Sequence, residues 1–150
     1  MLTGTILLIE DNPDDVLITK LAFENNHLLN PIEVIDDGAL VADYFEGKGK
    51  YENRNIHDLP ALVLLDLKLP NVSGLQVLDY IRNNHLTSLL PVIILTSSNE
   101  DKDVISSYVL GANSYVQKPV DFYEFTAAVK SLGLYWLVYN EAPQGRQGNG

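Results

Sequence analysis

Short runs of aliphatic and β-branched residues alternate along the chain with longer stretches whose apolar positions recur at helical spacing. The runs predict strands over 5–9, 32–35, 61–65, 92–95 and 114–116, and the stretches predict helices over 13–26, 38–46, 74–84, 100–110 and 121–133. Strand and helix in alternation give an α/β fold, a doubly wound parallel sheet of five strands covered by helices on both faces. The third run, "ALVLLD", is apolar without a break, as a strand buried on both faces requires, and belongs at the sheet centre. In the first helix, Val16, Leu17, Leu21 and Phe23 are expected to form the core face. Gly111 stands where the fourth helix should end, a position that favours left-handed backbone. Residues 47–59, "GKGKYENRNIHDL", read as an enlarged surface loop.

The 150 residues suit one domain, expected over 1–140 with an apolar extension at 134–140 and a disordered tail at 141–150. A formal charge of −10 repels phosphate backbones, and no basic patch offsets it, so direct nucleic-acid binding is not expected. The absence of cysteine removes disulfides and thiolate metal sites. No apolar run approaches the roughly 20 residues of a membrane span, and the start lacks a signal peptide's basic region and apolar core, so a cytoplasmic location is expected. His27, His57 and His85 are scattered and form no apparent site, and "GKGK" at 47–50 completes neither glycine-rich phosphate motif.

The candidate chemistry begins at "LLIEDNPDD", residues 7–15, where acids crowd the end of an apolar run. Asn12 suits a helix N-cap, Pro13 the first helical position, and Asp14 and Asp15 the first turn, where the helix dipole favours acids. Glu10 and Asp11 precede the cap and need another reason. In doubly wound sheets the ligand site lies beyond the carboxyl ends of the strands. There the first strand ends in Glu10-Asp11, the third in Asp66, the fourth in Thr96 and the fifth in Lys118. Converging carboxylates repel unless a divalent cation sits among them, so removing any one is expected to stabilise the metal-free fold. Oxygen ligands without His or Cys point to Mg²⁺ or Mn²⁺. Beside a lysine and a hydroxyl, such a site matches phosphoryl transfer, with Asp66 as the group that would form an acyl phosphate.

At this point the residues carry a family resemblance. "LLIEDN", "VLLDLKLPNVSG", "VIILTSS" and "SYVQKPVD" resemble, in order and spacing, the signature regions of response-regulator receiver domains, over about residues 5 to 133. The resemblance implies a flavodoxin-like receiver fold, with Glu10 and Asp11 as the acidic pair for Mg²⁺ and Asp66 as both phosphoacceptor and metal ligand. It implies that Lys68 offers its backbone carbonyl to the metal, Thr96 and Lys118 bind phosphoryl oxygens, and Tyr115 is the aromatic switch residue. A cis Lys118-Pro119 peptide follows in the same way, and Gly74 falls at the turn into the third helix. The implied function is a two-component switch, phosphorylated by a histidine kinase and read out through protein contacts, since the chain ends soon after its fifth helix. The alternative is a hydrolase that forms an aspartyl phosphate and turns over small phosphate esters. Such enzymes usually carry an Asp two positions on, where this chain has Lys68.

Within the family, the long loop at 47–59 and "KSLGLYWLVYNEAP" resemble the stand-alone regulators of cyanobacterial phytochromes. That resemblance implies a phytochrome-type kinase as donor and a homodimer on the side of the fourth and fifth helices. Tyr135, Trp136 and Tyr139 have the composition of an interface anchor, for which folding back onto the core is an equal alternative.

Overall fold

The computed structural model describes residues 4–97, 100–118, 121–134 and 136. Five parallel strands, β1 (Ile6–Ile9), β2 (Ile32–Ile35), β3 (Leu62–Leu65), β4 (Val92–Thr96) and β5 (Ser114–Gln117), form one sheet in the order β2-β1-β3-β4-β5. The helices are α1 (Pro13–Asn25), α2 (Val41–Glu46), α3 (Gly74–Asn83), α4 (Asp101–Val109) and α5 (Phe122–Leu134). Strand positions agree with the sequence reading to within a residue, and β3 is central as expected.

Alternation along the strands divides the interior into two layers. Leu7, Ile9, Val63, Leu65, Val92 and Ile94 face α2 and α3, where Tyr44, Phe45, Leu78 and Ile81 close the layer. Ile6, Leu8, Leu62, Leu64, Ile93 and Leu95 face α1 and α5, against Ala22, Phe23, Phe125 and Val129. Because both faces of β1, β3 and β4 are covered, their side chains have no polar side, which is why these segments read as unbroken apolar runs.

Three details differ from the sequence reading. In α1, Phe23 is buried and Val16 packs on the core, but Leu17 is 57% and Leu21 40% exposed. At about 100° per residue, positions 16, 19 and 23 share one face while 17 and 21 lie a quarter-turn or more away, so the inward face is completed by Thr19 and Ala22. The expected helix at 38–46 is split into a 3₁₀ turn, Gly38–Leu40, and α2. The loop at 47–59 opens at Gly47 in left-handed conformation and contains a 3₁₀ turn, Gly49–Tyr51. It is tied down by Arg54, whose guanidinium lies 3.8 Å from the Tyr44 ring centre and donates to the Tyr44 carbonyl at 2.9 Å. Gly111 follows α4 with φ 103°, as its expected role requires.

Two glycines set how closely the loops over the sheet approach each other. A Cβ on Gly74 would lie 2.2 Å from the Asp66 carbonyl oxygen and 2.5 Å from the Leu67 Cα, and one on Gly38 would lie 2.1 Å from the Val72 carbonyl oxygen. These neighbours are backbone and cannot rotate away. Gly74→Ala is therefore expected to lower stability by at least about 2 kcal/mol in chemical denaturation. Gly111→Ala, whose added methyl would meet the Arg82 side chain that donates to the Gly111 carbonyl, supplies a comparison in which a side chain rather than backbone is met and the left-handed backbone is penalised. Equal stability of Gly74→Ala and wild type would contradict the close approach.

Candidate functional site

The site gathers at the carboxyl ends of β1, β3, β4 and β5, where the strand order reverses between β1 and β3. Main-chain pairing positions each member: the Glu10 amide donates to the Ile35 carbonyl, Asp66 to Ile9 and Lys118 to Thr96. Asn12 caps α1 as anticipated, its side-chain oxygen accepting from the amides of Asp14 at 2.9 Å and Asp15 at 3.3 Å.

Glu10, Asp11 and Asp66 each present a carboxylate oxygen, all within 4.8 Å of one another, with Asp11 exposed and the other two buried. This donor set consists of hard, anionic oxygens, so it suits Mg²⁺ or Mn²⁺. The Asp66 Oδ1 accepts the Thr96 hydroxyl at 2.7 Å and the Lys68 amide at 3.2 Å. The Lys118 ammonium donates to Asp66 Oδ2 at 3.3 Å, to Asp15 Oδ2 at 3.0 Å and to Glu10. Asp66, Thr96 and Lys118 thus meet although 30 residues separate the first two and 52 separate Asp66 from Lys118.

The charges are unequal. Burial pushes the Glu10 carboxyl up from 4.5 to about 7, opposed by Lys118 and reinforced by Asp66. Burial acts on Asp66 in the same sense, but the Thr96 hydroxyl and the Lys118 charge outweigh it, and its pKa lies below the ordinary value. Burial works against the Lys118 charge, yet its bond to Glu10 and the Asp66 charge raise it above the usual lysine value. This changes one expectation. With Lys118 among the acids, losing either the Asp66 or the Glu10 carboxylate removes an ion pair from the metal-free fold as well as relieving repulsion.

The remaining candidates are placed as follows. Lys68 is exposed on the loop after β3. That loop is latched by Asn71, which adopts φ 66° and donates to Asp37 at 2.8 Å. Tyr115 is partly buried on β5, beside Ile94 of β4, and packs against the layer beneath α2 and α3. Trp136 is partly buried against the layer beneath α1 and α5, which is the fold-back alternative. Tyr135, Tyr139, the tail at 141–150 and the Lys118-Pro119 peptide lie outside the described residues. The sequence reading missed Asp15, which it assigned to the helix dipole alone. Its partner stands 103 residues away, and no local pattern announces the pair.

Comparison with known proteins places this geometry in a family. Residues 6–130 match the response regulator receiver domain. The chain is 37% identical over 141 residues to the probable methanogenesis regulatory protein FilR2 of Methanothrix harundinacea, covering 92% of this chain and 86% of that protein. The phosphorylated cyanobacterial phytochrome response regulator RcpA superposes with a TM-score of 0.86 at 30% identity, covering 95% of this chain and 99% of that one. The Mn²⁺-bound form of response regulator Rcp1 superposes with a TM-score of 0.84 at 31% identity, covering 93% and 99%; Rcp1 is a Synechocystis protein.

Proposed function

Because the chain belongs to the response regulator receiver domain family, we propose that its strand-end site is a phosphoryl-accepting switch with Asp66 as the acceptor. The chain is a response regulator homologous to those of phytochromes. The observation that carries the assignment to Asp66 is its shared contact with the Thr96 hydroxyl and the Lys118 ammonium.

Each residue then has a task. The Asp66 carboxylate attacks the phosphorus of a phosphohistidine or a small phosphodonor, and the bond from phosphorus to the leaving group breaks as the acyl phosphate forms. Glu10, Asp11 and Asp66 would hold Mg²⁺ or Mn²⁺ with the Lys68 carbonyl, and the bound cation offsets charge on the phosphoryl oxygens. Thr96 donates its hydroxyl to one oxygen and Lys118 its ammonium to another. Thr96 turning from the Asp66 carboxylate to a phosphoryl oxygen would open space beside β4 and β5, and Tyr115 would follow it, passing the signal to α4, β5 and α5.

The hydrolase alternative is not favoured. Position 68 is an exposed lysine where such enzymes usually carry an acid, and the family is one of signalling proteins.

The donor in this reading is a phytochrome-type histidine kinase, supported by the likeness to RcpA. A cytoplasmic setting agrees with it; among the described residues no helix is long and apolar enough to cross a membrane. A homodimer through the α4–β5–α5 side is supported by Ile105, Tyr108 and Val109, which are exposed on α4. With Trp136 partly buried on its own core, these residues and Tyr135 would carry the contact. The test combines phosphotransfer from purified histidine kinases with light scattering over a dilution series. Rapid transfer from a phytochrome kinase and a dimer at high concentration are expected. Preferential transfer from an unrelated kinase overturns the donor, and a monomer at every concentration overturns the dimer.

A further inference from the structure

The Lys118 ammonium has three N–H bonds, and in this structure three carboxylates accept them: Glu10, Asp66 and Asp15. Glu10 and Asp66 belong to the trio of acids whose oxygens lie within 4.8 Å of one another, and Asp15 is outside that trio. A divalent cation among those acids would therefore compete with Lys118 for Glu10 and Asp66. A phosphoryl group on Asp66 would replace the Asp66 contact with one to phosphate. Of the three partners, only Asp15 is untouched by either event.

Asp15 is also held in place independently of Lys118. Its amide donates to the Asn12 side chain at 3.3 Å, and its carbonyl accepts the Thr19 hydroxyl at 2.8 Å. Thr19 is itself fully buried in the face of α1 that packs on the core. The carboxylate thus projects from a fixed helical turn towards a lysine whose side chain is only 11% exposed. Asp14, one position earlier, is exposed and fits the bland description of a first-turn acid.

We propose that Asp15 is a positioning residue, which keeps the Lys118 ammonium aimed at the acceptor oxygen of Asp66 while the other carboxylates exchange partners. Its negative charge alone would repel an incoming phosphoryl group. Paired to Lys118, it removes the side-chain freedom that the lysine would otherwise lose on binding the phosphoryl oxygen. The inference rests on the phosphoryl-switch reading of Asp66 and Lys118.

The test measures two affinities of the full chain, for Mg²⁺ alone and for the phosphoryl mimic beryllofluoride in saturating Mg²⁺. For Asp15→Ala, mimic affinity is expected to fall about 5-fold, the size of a half-exposed ion pair, with Mg²⁺ affinity within about 2-fold of wild type. Asp15→Asn retains an acceptor oxygen and is expected to fall between the two. Mimic binding equal to wild type in both variants overturns the proposal, as does an equal loss of both affinities, which would mark Asp15 as structural. Asp66→Asn and Lys118→Ala are run beside them. If both bind the mimic as wild type does, the phosphoryl-switch reading fails; if both lose it while the Asp15 variants do not, only the role of Asp15 fails.

Discussion

Asp66→Asn is expected to reduce phosphorylation by acetyl phosphate and Mg²⁺ from one alkali-labile phosphoryl group per chain to background. The carboxylate oxygen supplies the electron pair for the new bond to phosphorus while acetate departs, and a carboxamide cannot serve as that nucleophile at neutral pH. The substitution is close in shape. Its oxygen can still accept the Thr96 hydroxyl and the Lys68 amide that now meet Asp66 Oδ1. Its NH₂, however, faces the Lys118 ammonium where Oδ2 stands at 3.3 Å. The variant should therefore fold yet lose chemistry entirely, which separates nucleophile loss from unfolding. Intact mass and circular dichroism check both halves. Label that persists in the variant on the peptide ending at Lys68 would exclude Asp66 as acceptor.

Lys118→Ala should produce the largest change in stability. It leaves the buried Glu10 and Asp66 carboxylates together without their cation, and breaking a buried pair by removing one partner costs about 3–5 kcal/mol. The pH dependence has a definite sign. Glu10, raised from 4.5 to about 7, contributes stability that is present below pH 4.5 and lost as pH rises through 7. Asp66, held below its ordinary 3.8, contributes stability above that value, lost as pH falls. Removing the lysine raises both acids, so the gap between variant and wild type should widen as pH rises towards 8. Saturating Mg²⁺ supplies the missing positive charge and should narrow the gap, because a ligand that binds only the folded state stabilises it by mass action. The variant should therefore retain metal binding yet lose most of its conformational response to phosphorylation. Denaturation at pH 5 and pH 8, with and without Mg²⁺, reads the loss of stability, its pH dependence and its relief by the metal. A gap that is constant with pH would show that Lys118 does not neutralise these acids.

Much of this protein was determined by sequence patterns of short range. The apolar runs specify the strands because a strand covered on both faces admits no polar side chain, and "ALVLLD" for that reason identified the centre of the sheet. Asn12, Pro13 and Gly111 punctuate their helices through local backbone chemistry, and they do so here. The strand-end residues Glu10, Asp11, Asp66, Thr96 and Lys118 were legible because a parallel sheet sends every strand's carboxyl end to the same side. The tertiary structure alone decided what depends on where helices rest and on which charges meet. It turned Leu17 and Leu21 outward, since α1 docks through Val16, Thr19, Ala22 and Phe23. It laid Trp136 against the core beneath α1 and α5. It set Gly38 against the Val72 carbonyl, far along the chain, and Gly74 against the backbone of Asp66 and Leu67, approaches that a Cβ would block. It also paired Asp15 with Lys118 across 103 residues, converting an acid explained by its helix into a member of the site. Packing and Coulomb interactions act between residues that the fold brings together, and the order of residues along the chain does not record those meetings.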